Sequence, residues 1–144
     1  KPDDVIRAIC DTGGYIGICC VPAFLGGTGD ICAFLDHIDY AVKSFGADHV
    51  AIGTDVAFSP THFWPEREKI PERRKLRLPW RSLWPKSSGF DLPQYQKPQQ
   101  KLSMAWTNWP MFTVGLVQRG YSDDDIQKII GGNMLRVARA ALKP

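Results

Sequence analysis

Apolar positions recur with a helical period at the start of the chain. In PDDVIRAICDTGG, Val5, Ile6, Ala8, Ile9 and Cys10 form one broad apolar face. Pro2 suits a first turn, Asp3 and Asp4 suit the positive end of a helix, and Gly13-Gly14 stop it. YIGICCV then runs apolar on both faces, the pattern of a parallel strand covered on both sides, and Pro22 ends it. The period returns in GTGDICAFLDHIDYAVKSFG, where Ile31, Phe34, Leu35, Ile38, Val42 and Phe45 share a face. Thr28 or Asp30 caps that helix and Gly46 stops it. HVAIGTD reads as a second short buried strand. Helix, strand, helix, strand with short Gly-rich joints is the alternation of an α/β fold with a parallel sheet.

The pattern breaks over residues 58–103, which hold seven of the eleven prolines, three of the five tryptophans and the basic run ERRKLRLPWR. Such a segment is too long for an ordinary loop and too aromatic for a linker. It predicts an ordered insertion, with helical turns inside it. Helical spacing resumes at 104–142. Trp106, Trp109, Phe112, Thr113, Leu116 and Val117 define one stripe, with Pro110 in a first turn and Gly120 at the end. Ser122 and Asp125 make a capping-box-like start for a helix with Ile126, Ile129 and Ile130 inward. GGN separates it from MLRVARAAL, with Asn133 predicted as N-cap. There is no internal repeat.

Composition narrows the class. The 144 residues, 44% hydrophobic and 23% charged, describe one globular domain, and a net charge of +3 does not by itself call for nucleic acid. No apolar run has the length of a membrane span and no signal-peptide pattern opens the chain, so a cytoplasmic location is expected. Lys1 stands without an initiator Met, so the start is expected to be a cut or processing point. Cys10, Cys19, Cys20 and Cys32 contain no C-x-x-C pair and read as buried free thiols.

Three segments, DHIDYAVKSFGADHVAIGTD, NWPMFTVGLVQRGYSDDDIQKIIGGNMLRVARAAL and GGYIGICCVPAFL, together resemble the renal or membrane dipeptidase family of metallopeptidases, in wording closer to bacterial members. The resemblance implies the last units of an amidohydrolase-like (β/α)8 TIM barrel, carrying the long insertion and C-terminal helices. It implies a binuclear zinc site, with ligands upstream of this chain and none within it, and hydrolysis of dipeptides. It also places Asp55 at the end of the eighth strand as the catalytic carboxylate. A complete barrel takes about 250 residues, and two buried strands cannot close one. The expected partners are therefore a dipeptide and either the upstream barrel half or another copy of the chain, in a homo-oligomer. A non-catalytic remnant serving as a protein-interaction module is the rival reading.

Residue by residue, Asp55 stands either as a proton-handling group at a strand mouth or as a turn Asp bonding nearby amides. Pro22 and Phe24, after the first strand, and Val56, after the second, are substrate-pocket candidates; Pro22 also serves simply to end its strand. His37, His49 and His62 show no ligand spacing and read as structural. Arg73, Arg74, Lys75, Arg77 and Arg81 sit among Glu66, Glu68 and Glu72, which favours a lid or subunit contact over nucleic-acid binding. The insertion tryptophans are then expected to be covered in the native assembly. Cys19-Cys20 stands where many relatives read Asn-Phe, and Val56-Ala57-Phe58 where they read Phe-Asp-Gly.

Overall fold

A computed structural model of the chain describes residues 1–55, 61–71 and 80–142. These form a mixed α/β structure, mostly helical, around one small parallel sheet. Helix α1 (Asp3–Asp11) carries Asp3 and Asp4 in its first turn and buries Ile6. Strand β1 (Ile16–Ile18) follows, then a single helical turn, α2 (Pro22–Leu25), which Pro22 opens. Helix α3 (Ile31–Phe45) is capped by Asp30, whose Oδ1 accepts from the amides of Cys32 at 2.9 Å and Ala33 at 3.4 Å. The Thr28 hydroxyl also donates to this oxygen, at 2.6 Å. Burial alone would raise the Asp30 pKa, but these donors, with the amide of Asp30 itself, outweigh it and hold the carboxyl below its ordinary value. Gly46 closes α3, and β2 (Val50–Ile52) pairs parallel to β1 with Ile16, Gly17 and Ile18 opposite Val50, Ala51 and Ile52.

The strands are shorter than the apolar runs that predict them, but their pairing extends beyond them. Gly53 donates its amide to Ile18 O at 2.9 Å, and Cys20 donates to Thr54 O at 2.8 Å. The two segments therefore run side by side up to Asp55.

Beyond the sheet lie α4 (Phe63–Glu68), α5 (Pro98–Ser103), α6 (Trp109–Gln118), α7 (Asp123–Gln127) and α8 (Asn133–Ala141). The core is built on α3: Phe34 and Ile38 are fully buried with Val50 of β2, Phe112 and Leu116 of α6, and Ile129. Phe34 and Phe112 meet at 5.0 Å between ring centres. A Cβ on Gly115 would stand 2.5 Å from Leu35 Cδ1, so a larger residue there would force the Leu35 side chain to shift. The inward stripe of α6 is narrower than predicted. Phe112, Gly115 and Leu116 are buried, while Trp106 lies in a separate turn before α6 and Val117 faces outward. Arg119 fastens α6 to α3 through Asp39 at 2.5 Å and Asp36 at 2.7 Å, and the Tyr121 hydroxyl donates to Asp39 at 2.7 Å.

Two expectations are corrected. Asn133 is no N-cap. It continues from a π-helical turn, Lys128–Gly132, and its buried amide donates to Ala47 O at 2.7 Å and Val50 O at 2.9 Å. Burial inverted its role, because an amide enclosed among carbonyls has more to bond there than at a helix end. The four cysteines are free, but only Cys20 is buried; Cys32, on the first turn of α3, is exposed because the apolar face of the helix points the other way.

Candidate functional site

The two ends of the sheet differ in chemistry. At the N-terminal end of the strands, backbone carbonyls are tied together by side chains. Arg136 of α8 donates to Gly13 O at 2.6 Å and to Asp48 O at 2.8 Å, bridging the loops that enter β1 and β2. His49 Nδ1 lies 2.7 Å from Gly14 O, in the same place. This end is a clamp.

The C-terminal end carries the candidates. Asp55 follows β2 by three residues, is exposed, and holds φ at +52°. It is the single non-glycine residue with positive φ among the described residues. Asp tolerates that region better than most residues, and such conformations concentrate at functional sites. Its carboxylate makes no hydrogen bond or ion pair with the described residues. Pro22 and Phe24 lie in α2, just past the end of β1. The Cys20–Thr54 hydrogen bond sets α2 and Asp55 on neighbouring strand ends. Val56 lies outside the described residues, as do Ala57 and Phe58 and, in the basic run, Glu72, Arg73, Arg74, Lys75 and Arg77. Cys20, beside the mouth, has its thiol pushed up to about 12 by burial, with the neighbouring Cys19 adding to the effect.

The insertion reaches this end. Phe24 meets Trp84 at 5.0 Å and Phe90 at 4.9 Å between ring centres, and Trp84 meets Phe90 at 5.5 Å. Gln100, 4% exposed, gives its amide to Thr28 O and to Gln94 O, each at 2.7 Å, while its Oε1 accepts from Lys97 N at 3.1 Å. The Ser103 hydroxyl faces Ile31 N at 3.4 Å. Gly29, with φ +62°, sits where the insertion crosses the α2–α3 loop; a Cβ there would be 2.9 Å from Tyr95 Cδ1 and 3.0 Å from Gln100 Nε2. The sequence signalled neither the ring cluster nor the Gln100 clamp, since each includes contacts between residues sixty or more positions apart along the chain.

Trp64 is 64% exposed and Trp84 40% in the chain by itself. His62 precedes α4, and His37 Nε2 lies 2.9 Å from Leu25 O. Among the described residues no group of three or more His, Cys, Asp or Glu could hold a metal ion. No helix among the described residues is long and apolar enough to cross a membrane. A cleft of about 810 Å³ opens between α1, β1 and α3, floored by Ile6, Ile9, Ile16, Ile18 and Phe45.

Residues 2–66 match the profile of the membrane dipeptidase family, peptidase family M19. The span includes Pro22, Phe24, Asp55 and Val56, and bears out the family resemblance for this part of the chain. The C-terminal helices lie outside it. The chain is also 39% identical over 59 residues to an uncharacterized protein in the pqqA 5′ region of Klebsiella pneumoniae, covering 37% of this chain and 22% of that protein. It thus spans under a quarter of the length of that curated relative. No solved structure matches the chain.

Proposed function

We propose that this chain, part of whose sequence matches the membrane dipeptidases, is the C-terminal portion of a dipeptidase-like hydrolase of (β/α)8 form, with Asp55 as its proton-handling carboxylate. As water attacks the peptide carbonyl, Asp55 takes its proton and returns it to the leaving amine, so that one C–N bond breaks and one C–O bond forms. The observation that carries this reading is Asp55 itself: an exposed carboxylate in a left-handed backbone conformation, at the C-terminal end of a parallel strand, within the matched span. In α/β sheets and barrels that end is where chemistry is placed.

The zinc pair that the family resemblance implies has no donor set among the described residues. In this reading its ligands lie in another part of the protein, and what this chain contributes is the proton carrier and the wall beside it. The open cleft along α1, β1 and α3 supports a neighbouring strand–helix unit as the partner on that side. It equally suits the rival reading, an interaction module that pairs through β1, whose one strand partner among the described residues is β2.

Asp55→Asn tests the assignment cleanly, because Asn is isosteric and also tolerates positive φ. In the protein carrying the whole barrel, turnover on several dipeptides should fall about 100-fold or more, with zinc content unchanged. Normal turnover on all of them would sink the assignment. Intact mass and metal content of the same preparation separate the enzyme from the interaction module.

A further inference from the structure

The ring cluster at the strand mouth is unusual for simple packing. Phe24 and Phe90 are only partly buried and Trp84 keeps 40% of its surface open, although all three rings touch. A cluster formed only to pin the insertion would be expected to close over its rings, since exposed aromatic surface is unfavourable in water. The rings are also held in place from outside the cluster. Gln96 donates to Phe90 O, and the buried Gln100 ties the strap after Phe90 to Thr28 O on the α2–α3 loop. Phe24 is fixed by its place in α2, one turn beyond the end of β1. A rigid, partly open aromatic surface costs little to order when a ligand arrives.

We propose that Phe24, Trp84 and Phe90 form a side-chain subsite that receives an apolar, preferentially aromatic, side chain of the substrate. The proposal rests on the functional reading above, because it takes the mouth beside Asp55 as the place where substrate lies. The ring geometry favours an aromatic occupant. Trp84 and Phe90 meet at 88° and Phe24 and Phe90 at 70°, so the cluster is already built of edge-to-face contacts that a further ring can extend.

The test is NMR of the 144-residue chain, following the Trp84 indole and the Phe24 and Phe90 ring signals. Glycyl-phenylalanine, diglycine and glycyl-lysine are added up to concentrations on the order of 10 mM, where weak fragment binding is visible. Glycyl-phenylalanine should shift all three sets of signals, and diglycine and glycyl-lysine should leave them in place. Trp84→Ala, at an exposed position, and Phe24→Leu, which keeps an apolar side chain in α2, should each weaken the response of the remaining rings about fivefold or more, with the backbone amide spectrum of the core unchanged. Asp55→Asn should leave the response intact. No response to glycyl-phenylalanine, equal responses to all three probes, a stronger response to glycyl-lysine, or a response that survives both ring variants would overturn the subsite. Loss of the Asp55 assignment by the turnover assay would leave these ring shifts standing, so the two failures are distinguishable.

Discussion

Asn133 shows how far a single buried amide reaches. Its two hydrogen bonds, to Ala47 O and Val50 O, hold the segment entering β2 against the start of α8, across more than eighty positions of sequence. Asn133→Ala leaves both carbonyls unpaired in the interior and should cost about 2–4 kcal/mol, read as a lower urea midpoint at an unchanged slope. Asn133→Asp should be worse at neutral pH, since a carboxylate would face two carbonyl oxygens, and should recover partly on acidification. Local sequence could not announce this role: an Asn after two glycines looks like a cap, and only the third dimension supplies the carbonyls. The cysteines make a second case. Burial pushes the Cys20 thiol up to about 12, while Cys32 is exposed. A raised acid pKa in the fold means the native state holds the proton more tightly than the unfolded chain. That contribution to stability is complete below the unfolded thiol pKa and is lost as pH rises from there through about 12. Iodoacetamide at pH 8 should therefore label Cys32 readily and Cys20 only after denaturant is added; fast labelling of Cys20 in the native chain would contradict its burial.

At the scale of elements, the best-read features were those written in adjacent residues. The cap of α3 is one. Asp30, its hydroxyl partner Thr28 and the glycine stop are contiguous with the helix they bound, and all lie where the pattern placed them. Asp30→Ala should cost about 1 kcal/mol. Because its folded pKa is depressed, the wild-type advantage should be present above the unfolded carboxyl pKa and disappear as pH falls through the lower folded value. Chemical denaturation of both proteins at neutral and at acid pH tests this; an equal gap at both pH values would mean the side chain acts by packing and not as an ionised cap. The insertion is the opposite case. Its aromatic and proline content predicts its order, but the way it docks depends on Gln100 reaching Thr28 and on Gly29 admitting Tyr95, which no local pattern encodes. Gln100→Ala should free the strap before it unfolds the core. Limited proteolysis should cut within 80–103 several times faster, while the Phe34–Phe112 core melts nearly as before. An unchanged cutting rate would show that the aromatic contacts suffice without the clamp.

For the whole molecule, the two strands and seven other α-helices around α3 among the described residues leave apolar surface that those residues do not cover. On the reading proposed above, the open cleft beside β1 is where a neighbouring strand–helix unit of a barrel packs. A different face concerns self-association, which the sequence suggested without locating. Helix α6 contains no charged residue, and it is apolar on both sides. Phe112, Gly115 and Leu116 point into the core, while Met111, Val114 and Val117 are exposed by 48%, 42% and 57%. A helix apolar all round is one that is covered all round. The outer stripe advances by three residues at a time, so a second copy related by a two-fold axis would set the same three side chains against themselves, the self-complementary contact that symmetric dimers use. We therefore expect the chain to dimerise through α6. Light scattering across a concentration series should give twice the monomer mass, and Val117→Asp, at a position the core does not use, should return the monomer mass with the far-UV spectrum unchanged. A wild-type chain that stays monomeric at high concentration, or a Val117→Asp variant that still dimerises, would move the contact off this helix and leave its outer face to some other part of the protein.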